Sequence, residues 1–278
     1  MFGPGTLLST LRPRRPSWSL LVVALLLAVA LPLAACGPSR EQVKKQQEQA
    51  KYHYDLAYGH YFDQQKANAD AALQEVLVSL DLNPDESKTH LLAGLIFMGR
   101  ESWIDAERHY KRAIELQHDN FLAQNNLGAV YLATERFDEA ITAFTALTSN
   151  VLYVTPGHGH NNLGWAWYKK GDLEKAKRHF RLAINLSPQL CPAYNNLGLV
   201  YFDEGNMAKA TRYLERGLKR CTTYAEPNFH LGRVLARQGH IHDARIHFAR
   251  CLELAGESAL ADRCERLLNT LPPDEGGG

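Results

Sequence analysis

The sequence predicts an all-α solenoid of about six helix–turn–helix repeats closed by a C-terminal capping helix. Three observations carry that expectation. A glycine recurs at Gly94, Gly128, Gly164, Gly198 and Gly232, with spacings of 34, 36, 34 and 34. Twelve residues past each stands an alanine (Ala106, Ala140, Ala176, Ala210, Ala244), and four further on a large apolar residue: Tyr110, Phe144, Phe180, Leu214 or Phe248. Turn signals such as Gly171-Asp172 separate runs whose apolar residues fall three and four apart, the period of an amphipathic helix. One such hairpin cannot bury its apolar face alone, so neighbouring copies must complete each other's core.

The pattern is that of the tetratricopeptide repeat (TPR), a unit of about 34 residues. The fourth copy, residues 161–188, shows it most fully: Leu163-Gly164 and Trp167 on the first helix, a turn at Gly171-Asp172, then Ala176, Phe180 and Ala183, with Pro188 closing the unit.

The chain has 278 residues, 22% of them charged, enough for one extended repeat domain. Its first 35 residues read as targeting sequence and not as fold. Arg12, Arg14 and Arg15 precede an uncharged run over 18–35, which ends in Leu33-Ala34-Ala35-Cys36-Gly37. That ending resembles a bacterial lipobox, in which small residues admit the peptidase and the cysteine thiol, here Cys36, takes diacylglycerol. The run alone could also serve as a plain membrane anchor or a secretory signal. By resemblance to lipoprotein sorting, Gly37 in place of an aspartate favours the outer membrane. Acyl chains contribute about 0.8 kcal/mol per buried CH₂, and anchors with more than one chain hold stably. Removing 1–35 leaves 28 basic against 30 acidic residues, a net charge of −2 that argues against nucleic acid as a partner.

From Cys36 onward, residues 36–50 are rich in Gln, Lys, Glu and Ser and read as a tether. Residues 51–257 hold the six repeats. In the first, Leu56-Ala57 occupies the Leu-Gly site, Ala72 and Val76 lie in the second helix, and the loop around 64–68 is about three residues too long. Terminal repeats are often atypical. The second repeat runs from 86 to about 118 and the third from 119 to about 154, with two extra residues within 150–156. The fourth ends at 188, the fifth near 222 and the sixth near 255. Residues 258–271 should cap the open face of the sixth repeat, and 272–278 form a tail expected to be disordered.

Catalytic constellations are not evident: the chain carries no phosphate-cradling glycine loop, no HExxH and no nucleophile elbow. The reading is therefore of a non-enzyme with no cofactor and no metal. Twelve histidines invite a metal interpretation, above all His240, His242 and His247, and His158 with His160. His242 and His247 are five apart, off the spacing that aligns ligands on a helical face, and solvated turn and surface histidines are the plainer reading. Four cysteines follow Cys36. In an antiparallel helix pair, residues equidistant from the turn lie at one height. Cys191 and Cys221 bracket the Gly205 turn and Cys251 and Cys264 that near 256–258, which suggests the disulfides Cys191–Cys221 and Cys251–Cys264. The competing reading makes Cys251 a small core residue.

Solenoids of this kind bind on the concave face made by the first helix of each repeat. Positions flanking each repeat glycine would then form a groove: Asn125 and Asn126; Asn161, Asn162, Trp165 and Tyr168; Asn195, Asn196, Leu199 and Phe202; and Arg233. Leu91, Leu95, Met98, Leu132, Phe229 and Arg237 extend the row, with Tyr54, Tyr58 and Tyr61 from the first repeat. Three stacked Asn-Asn pairs offer donors and acceptors to a peptide backbone without reading its side chains. Trp165, Leu199 and Phe202 could instead belong partly to the inter-helix core.

At the third and fourth repeats, Ala146-Leu147, Asn150, Leu152-Tyr153, Thr155-Pro156, Asn162-Leu163-Gly164 and Gly171 resemble the type IV pilus biogenesis lipoproteins of the PilF/PilW type, which include the Tgl-like members. The lipobox and the Leu-Tyr-x-Thr-Pro insertion extend the likeness over nearly the whole mature chain. The resemblance implies a pilotin: a monomeric outer-membrane lipoprotein, facing the periplasm, that binds the secretin subunit of the pilus machine and promotes its assembly. A longer loop in the first repeat and the four cysteines depart from that pattern. An adaptor bridging other envelope complexes or cell-wall enzymes, or a regulatory subunit of a periplasmic enzyme, are the rival readings.

Overall fold

The computed structural model describes residues 38–63 and 68–272. Residues 1–35, read above as targeting sequence, Cys36, most of the long loop in the first repeat and the tail from 273 lie outside them. Thirteen helices and no strand make up the described residues: α1 (Arg40–Phe62), α2 (Ala69–Leu82), α3 (Ser87–Gly99), α4 (Trp103–Leu116), α5 (Phe121–Ala133), α6 (Phe137–Ser149), α7 (Pro156–Lys169), α8 (Leu173–Leu186), α9 (Cys191–Asp203), α10 (Met207–Leu218), α11 (Glu226–Arg237), α12 (Ile241–Ala255) and α13 (Ala259–Thr270). They pair in sequence into six hairpins, α1·α2 through α11·α12, and α13 covers the last one. The fold is an all-α TPR solenoid with a capping helix.

The sequence rule becomes a packing rule. A Cβ built on Gly94 would come within 2.5 Å of the Tyr110 ring, on Gly128 within 2.6 Å of Phe144, and on Gly164 within 2.9 Å of Phe180. On Gly198 it would meet Leu214 at 2.6 Å and on Gly232 Phe248 at 2.7 Å. Each large side chain of the second helix thus fills the place a side chain on the first would need. All five alanines of the pattern are fully buried alongside. The hairpin turn also repeats: Gly171, Gly205 and Gly239 adopt φ of +90°, +76° and +83°, and Glu101 and Glu135 take the same left-handed conformation at φ 58° in the second and third repeats. A side chain there costs about 1 kcal/mol, a strain the packed hairpin tolerates twice.

The structure corrects the expected tether. Helix α1 begins at Arg40, because Ser39 forms a capping box: its Oγ accepts from the Gln42 amide (3.2 Å) and its own amide donates to Gln42 Oε1 (2.7 Å). Residues within 40–50 already pack on the first repeat. Gln46 Nε2 donates to the Leu82 carbonyl (2.9 Å), and Ser79 Oγ donates to the carbonyl of buried Ala50 (2.8 Å). The polar composition of this stretch is the solvated side of a helix, not a flexible linker.

Between α6 and α7 the insertion folds on itself. Asn150 Oδ1 accepts from the Leu152 amide (2.9 Å), and Tyr153 is buried with its ring 5.7 Å from that of Phe121. The flanking Val151 and Val154 are 96% and 87% exposed.

Candidate functional site

The first helices α3, α5, α7, α9 and α11 line one face of the solenoid, and the paired asparagines sit on three of them. They form one hydrogen-bonded ladder across three repeats. Asn196 Nδ2 donates to Asn161 Oδ1 (3.1 Å) and Asn162 Nδ2 donates to Asn125 Oδ1 (2.9 Å), joining successive repeats at full strength. Within each pair the contact is longer: Asn195 to Asn196 at 3.4 Å, Asn161 to Asn162 at 3.3 Å and Asn125 to Asn126 at 3.4 Å. The amides are therefore not a free row, as the sequence suggested, but orient one another head to tail. An amide has two N–H donors and two lone pairs, so the ladder leaves spare capacity in fixed directions for a peptide backbone. It ends at Asn195, which is 5% exposed and whose Oδ1 has no partner.

Beside the ladder, Trp165 and Tyr168 are half-buried, with ring centroids 5.0 Å apart. The Tyr168 hydroxyl donates to Asp203 Oδ2 (2.5 Å), and burial, then that carboxylate, push its pKa up. Leu199 and Phe202 were expected to stand open in the same strip. They are 9% and 8% exposed, and Phe202 packs in the core cluster with Leu231 and Val234. Over the Phe202 ring lies the Arg233 guanidinium, 4.5 Å from its centroid, with Arg237 at 5.5 Å. Helix α11 thus roofs Phe202, which the spacing of α9 alone could not reveal. Beside the ladder the open aromatic surface reduces to Trp165 and Tyr168; on α1, Tyr58 is exposed and Tyr54 and Tyr61 are half-buried.

The four later cysteines lie in two pairs: Cys191 with Cys221 (Cα–Cα 6.2 Å) and Cys251 with Cys264 (6.1 Å). Cys251 is fully buried, so it serves as a small core residue and as a bonded one at once.

Sequence reasoning missed the inter-helix histidines. His90 and His109 meet through their Nδ1 atoms at 3.0 Å, His160 and His179 at 3.3 Å, and His247 Nδ1 meets Asn228 Oδ1 at 2.9 Å. All three pairs are 19 residues apart and hold the same offsets from the repeat glycine, a periodicity that was present in the sequence. The solvated reading fails for them because those offsets face the partner helix. Among the described residues, no group of three or more His, Cys, Asp or Glu side chains is placed to hold a metal ion.

Burial first, then the charges of His90 and Arg108, push His109 down to about 4, and burial, His160 and Arg178 do the same to His179. Depressed histidines bind fewer protons folded than unfolded. Their contribution is complete above the ordinary histidine pKa of about 6.5 and is lost as pH falls from there to about 4, at up to about 1.4 kcal/mol per unit for each. The urea midpoint should accordingly fall between pH 7.5 and 5, and His109→Gln with His179→Gln should flatten that dependence. Equal midpoints at both pH values would contradict it.

Comparison with known proteins agrees with this architecture. The tetratricopeptide repeat matches residues 91–151, 157–190 and 189–257, together more than half of the chain. The type IV pilus assembly protein PilF of Pseudomonas aeruginosa is 22% identical over 169 residues, which span 59% of this chain and 66% of that protein, just short of two thirds of its length. The crystal structure of PilW, described as a widely conserved type IV pilus biogenesis factor, superposes with a TM-score of 0.66 at 18% identity, over 77% of this chain and 97% of that one. The structure of Pseudomonas aeruginosa PilF gives 0.63 at 16% identity, over 80% and 99%. MamA from Desulfovibrio magneticus gives 0.55 at 16%, over 62% and 94%. The chain belongs to the tetratricopeptide-repeat proteins, is similar in sequence at low identity to the type IV pilus assembly protein PilF, and shares the fold of PilW.

Proposed function

We propose that this chain is a protein-binding scaffold of type IV pilus biogenesis, acting as a pilotin for the secretin subunit from a lipid anchor in the outer membrane. The observation that carries the pilus assignment is the sequence relation to PilF, which extends over 59% of the chain. The amide ladder supports a binding role. Pre-aligned donors and acceptors lose little freedom on meeting a peptide backbone, and Trp165 and Tyr168 beside them offer rigid apolar area. Such a face could hold an amphipathic secretin segment out of solution until the ring closes around it. The anchor rests on Leu33-Ala34-Ala35-Cys36 in the sequence.

One genetic experiment tests the reading. Deleting the chain should abolish secretin multimers in the outer membrane. Restoring it with Cys36→Ala should leave it unprocessed or in the inner membrane, with few multimers. Restoring it with Trp165→Ala and Tyr168→Ala should give a normally folded protein whose secretin binding is at least tenfold weaker. Undiminished multimers in the deletion strain would overturn the pilotin role and leave an adaptor for another envelope complex.

A further inference from the structure

At the C-terminal end of the same face, α11 and the cap α13 enclose a cleft of about 360 Å³ lined by Phe229, Arg233, Arg263, Arg266 and Leu267. Its charge is unbalanced. Arg100, Arg112, Arg136 and Arg250 elsewhere each pair with an acid, whereas none of Arg233, Arg237, Arg263 and Arg266 forms an ion pair among the described residues. Three of the four are instead stacked on rings. Arg263 lies 4.4 Å over Phe229, Arg233 lies 4.5 Å over Phe202, and Arg237 lies 5.5 Å over Phe202. Stacking occupies the flat face of a guanidinium and leaves its edge N–H groups to take a carboxylate two-pronged; on Arg233 one terminal nitrogen already meets His230 Nδ1 at 3.3 Å, so the unengaged edges are those of Arg237, Arg263 and Arg266.

The surroundings do little to quench this charge. Half-buried Arg233 has its pKa lowered by burial and by Arg263 and Arg237, and Asp203 opposes that shift while itself accepting from Tyr168. Neighbouring His230 is pushed down to about 3 by burial, Arg233 and Arg263, so it stays neutral beside them. Four like charges gathered around one counter-charge, Asp203, repel one another, and an anion seated among them relieves that repulsion.

We infer that this cleft takes an acidic segment of a partner polypeptide, with two or more carboxylates flanking an apolar side chain. The carboxylates meet the guanidinium edges, and Phe229 with Leu267 receives the apolar group. A polypeptide fits better than a free anion because the cleft lies on the concave face that carries Trp165, Tyr168 and the amide ladder, which give an extended chain a track to follow. The inference rests on the concave face being a protein-binding surface, not on secretin being the protein.

The test uses the full chain and a fluorescein-labelled peptide in which two glutamates flank a phenylalanine, against the same peptide with glutamines. The acidic peptide should bind at least tenfold tighter, and its affinity should fall as salt is raised. Arg263→Gln with Arg266→Gln should erase that preference, and since both side chains are exposed the melting temperature should stay near normal. Arg266→Gln alone, a side chain with no stacking partner, should weaken the acidic peptide severalfold. Arg178→Gln, on α8, should change nothing. Equal affinity for the two peptides, or arginine variants that bind the acidic one normally, would overturn the inference. So would competition by millimolar inorganic phosphate as effective as the peptide, or arginine-dependent binding of phosphatidylglycerol vesicles without peptide binding, which would assign the cleft to small anions or to lipid. Each of these outcomes is independent of whether secretin multimers form in cells.

Discussion

Gly164→Leu should cost the solenoid about 3–5 kcal/mol and break its unfolding into separate steps. The space is already taken: even a lone Cβ at 164 would lie 2.9 Å from two carbons of the fully buried Phe180 ring. That ring packs with Ala176, Ala183, Ile184 and Leu197, so it has no empty volume to swing into. Overpacking alone typically costs about 1–3 kcal/mol. Here the new side chain must displace a core phenylalanine, which adds a loss of the order of a large-to-small core change, about 3 kcal/mol or more. Each repeat is held by its neighbours, so a failed fourth repeat uncouples α1–α6 from α9–α13. The control is Gly59, in helix α1, where a Cβ would meet nothing within 4 Å. Gly59→Ala should hold or raise stability by up to about 1 kcal/mol. Urea unfolding followed by circular dichroism measures both, and a Gly164→Leu protein melting within two degrees of the parent would refute the interlock.

The same interlock explains why the fold could be read from sequence. Gly164, Ala176 and Phe180 are linked by direct contact across a hairpin, so their spacing is a local property repeated five times. The concave face was legible only by position. Counting from the glycine gave Asn162 and Trp165 their places on the first helix of the repeat, yet could not show that Asn162 bonds back to Asn125 of the preceding repeat. Nor could it show that Arg233 of the next one roofs Phe202. Both depend on the stacking of separate repeats, which side-chain periodicity does not encode. Charge composition misled at the N-terminus, where Gln46 and Ala50 look like linker until α2 is present to receive them. The arginine cleft was invisible for a similar reason, since Arg263 and Arg266 come from the cap and Arg233 from the sixth repeat.

Removing both disulfides should lower stability by roughly 6 kcal/mol in all and loosen the C-terminal end first. Cys191 and Cys221 are 30 residues apart in sequence, and Cys251 and Cys264 are 13 apart. Closing loops of those lengths in the unfolded chain corresponds to about 3.5 and 3 kcal/mol by chain entropy. The first bond ties the start of α9 to the segment after α10, clamping the fifth repeat. The second ties α12 to α13, and it is the more consequential. A capping helix has a repeat on one side only, and α13 is held to it by buried Cys264 and Ala261, by the partly buried Leu260, Leu267 and Leu268, by Arg263 over Phe229, and by Arg245 donating to the carbonyls of Leu271 (3.1 Å) and Pro272. Cys251→Ala with Cys264→Ala is the proper variant, because a serine hydroxyl at either fully buried position would lack a partner. Hydrogen exchange should then quicken across α13 and the end of α12 while α3–α8 stay protected, and affinity for the acidic peptide should drop along with it, since Arg263 and Arg266 ride on that helix. Non-reducing peptide mapping decides the premise. Four free thiols, or a Cys191–Cys251 crosslink, would refute the pairing, and an unchanged urea midpoint in reductant would refute its energetic weight.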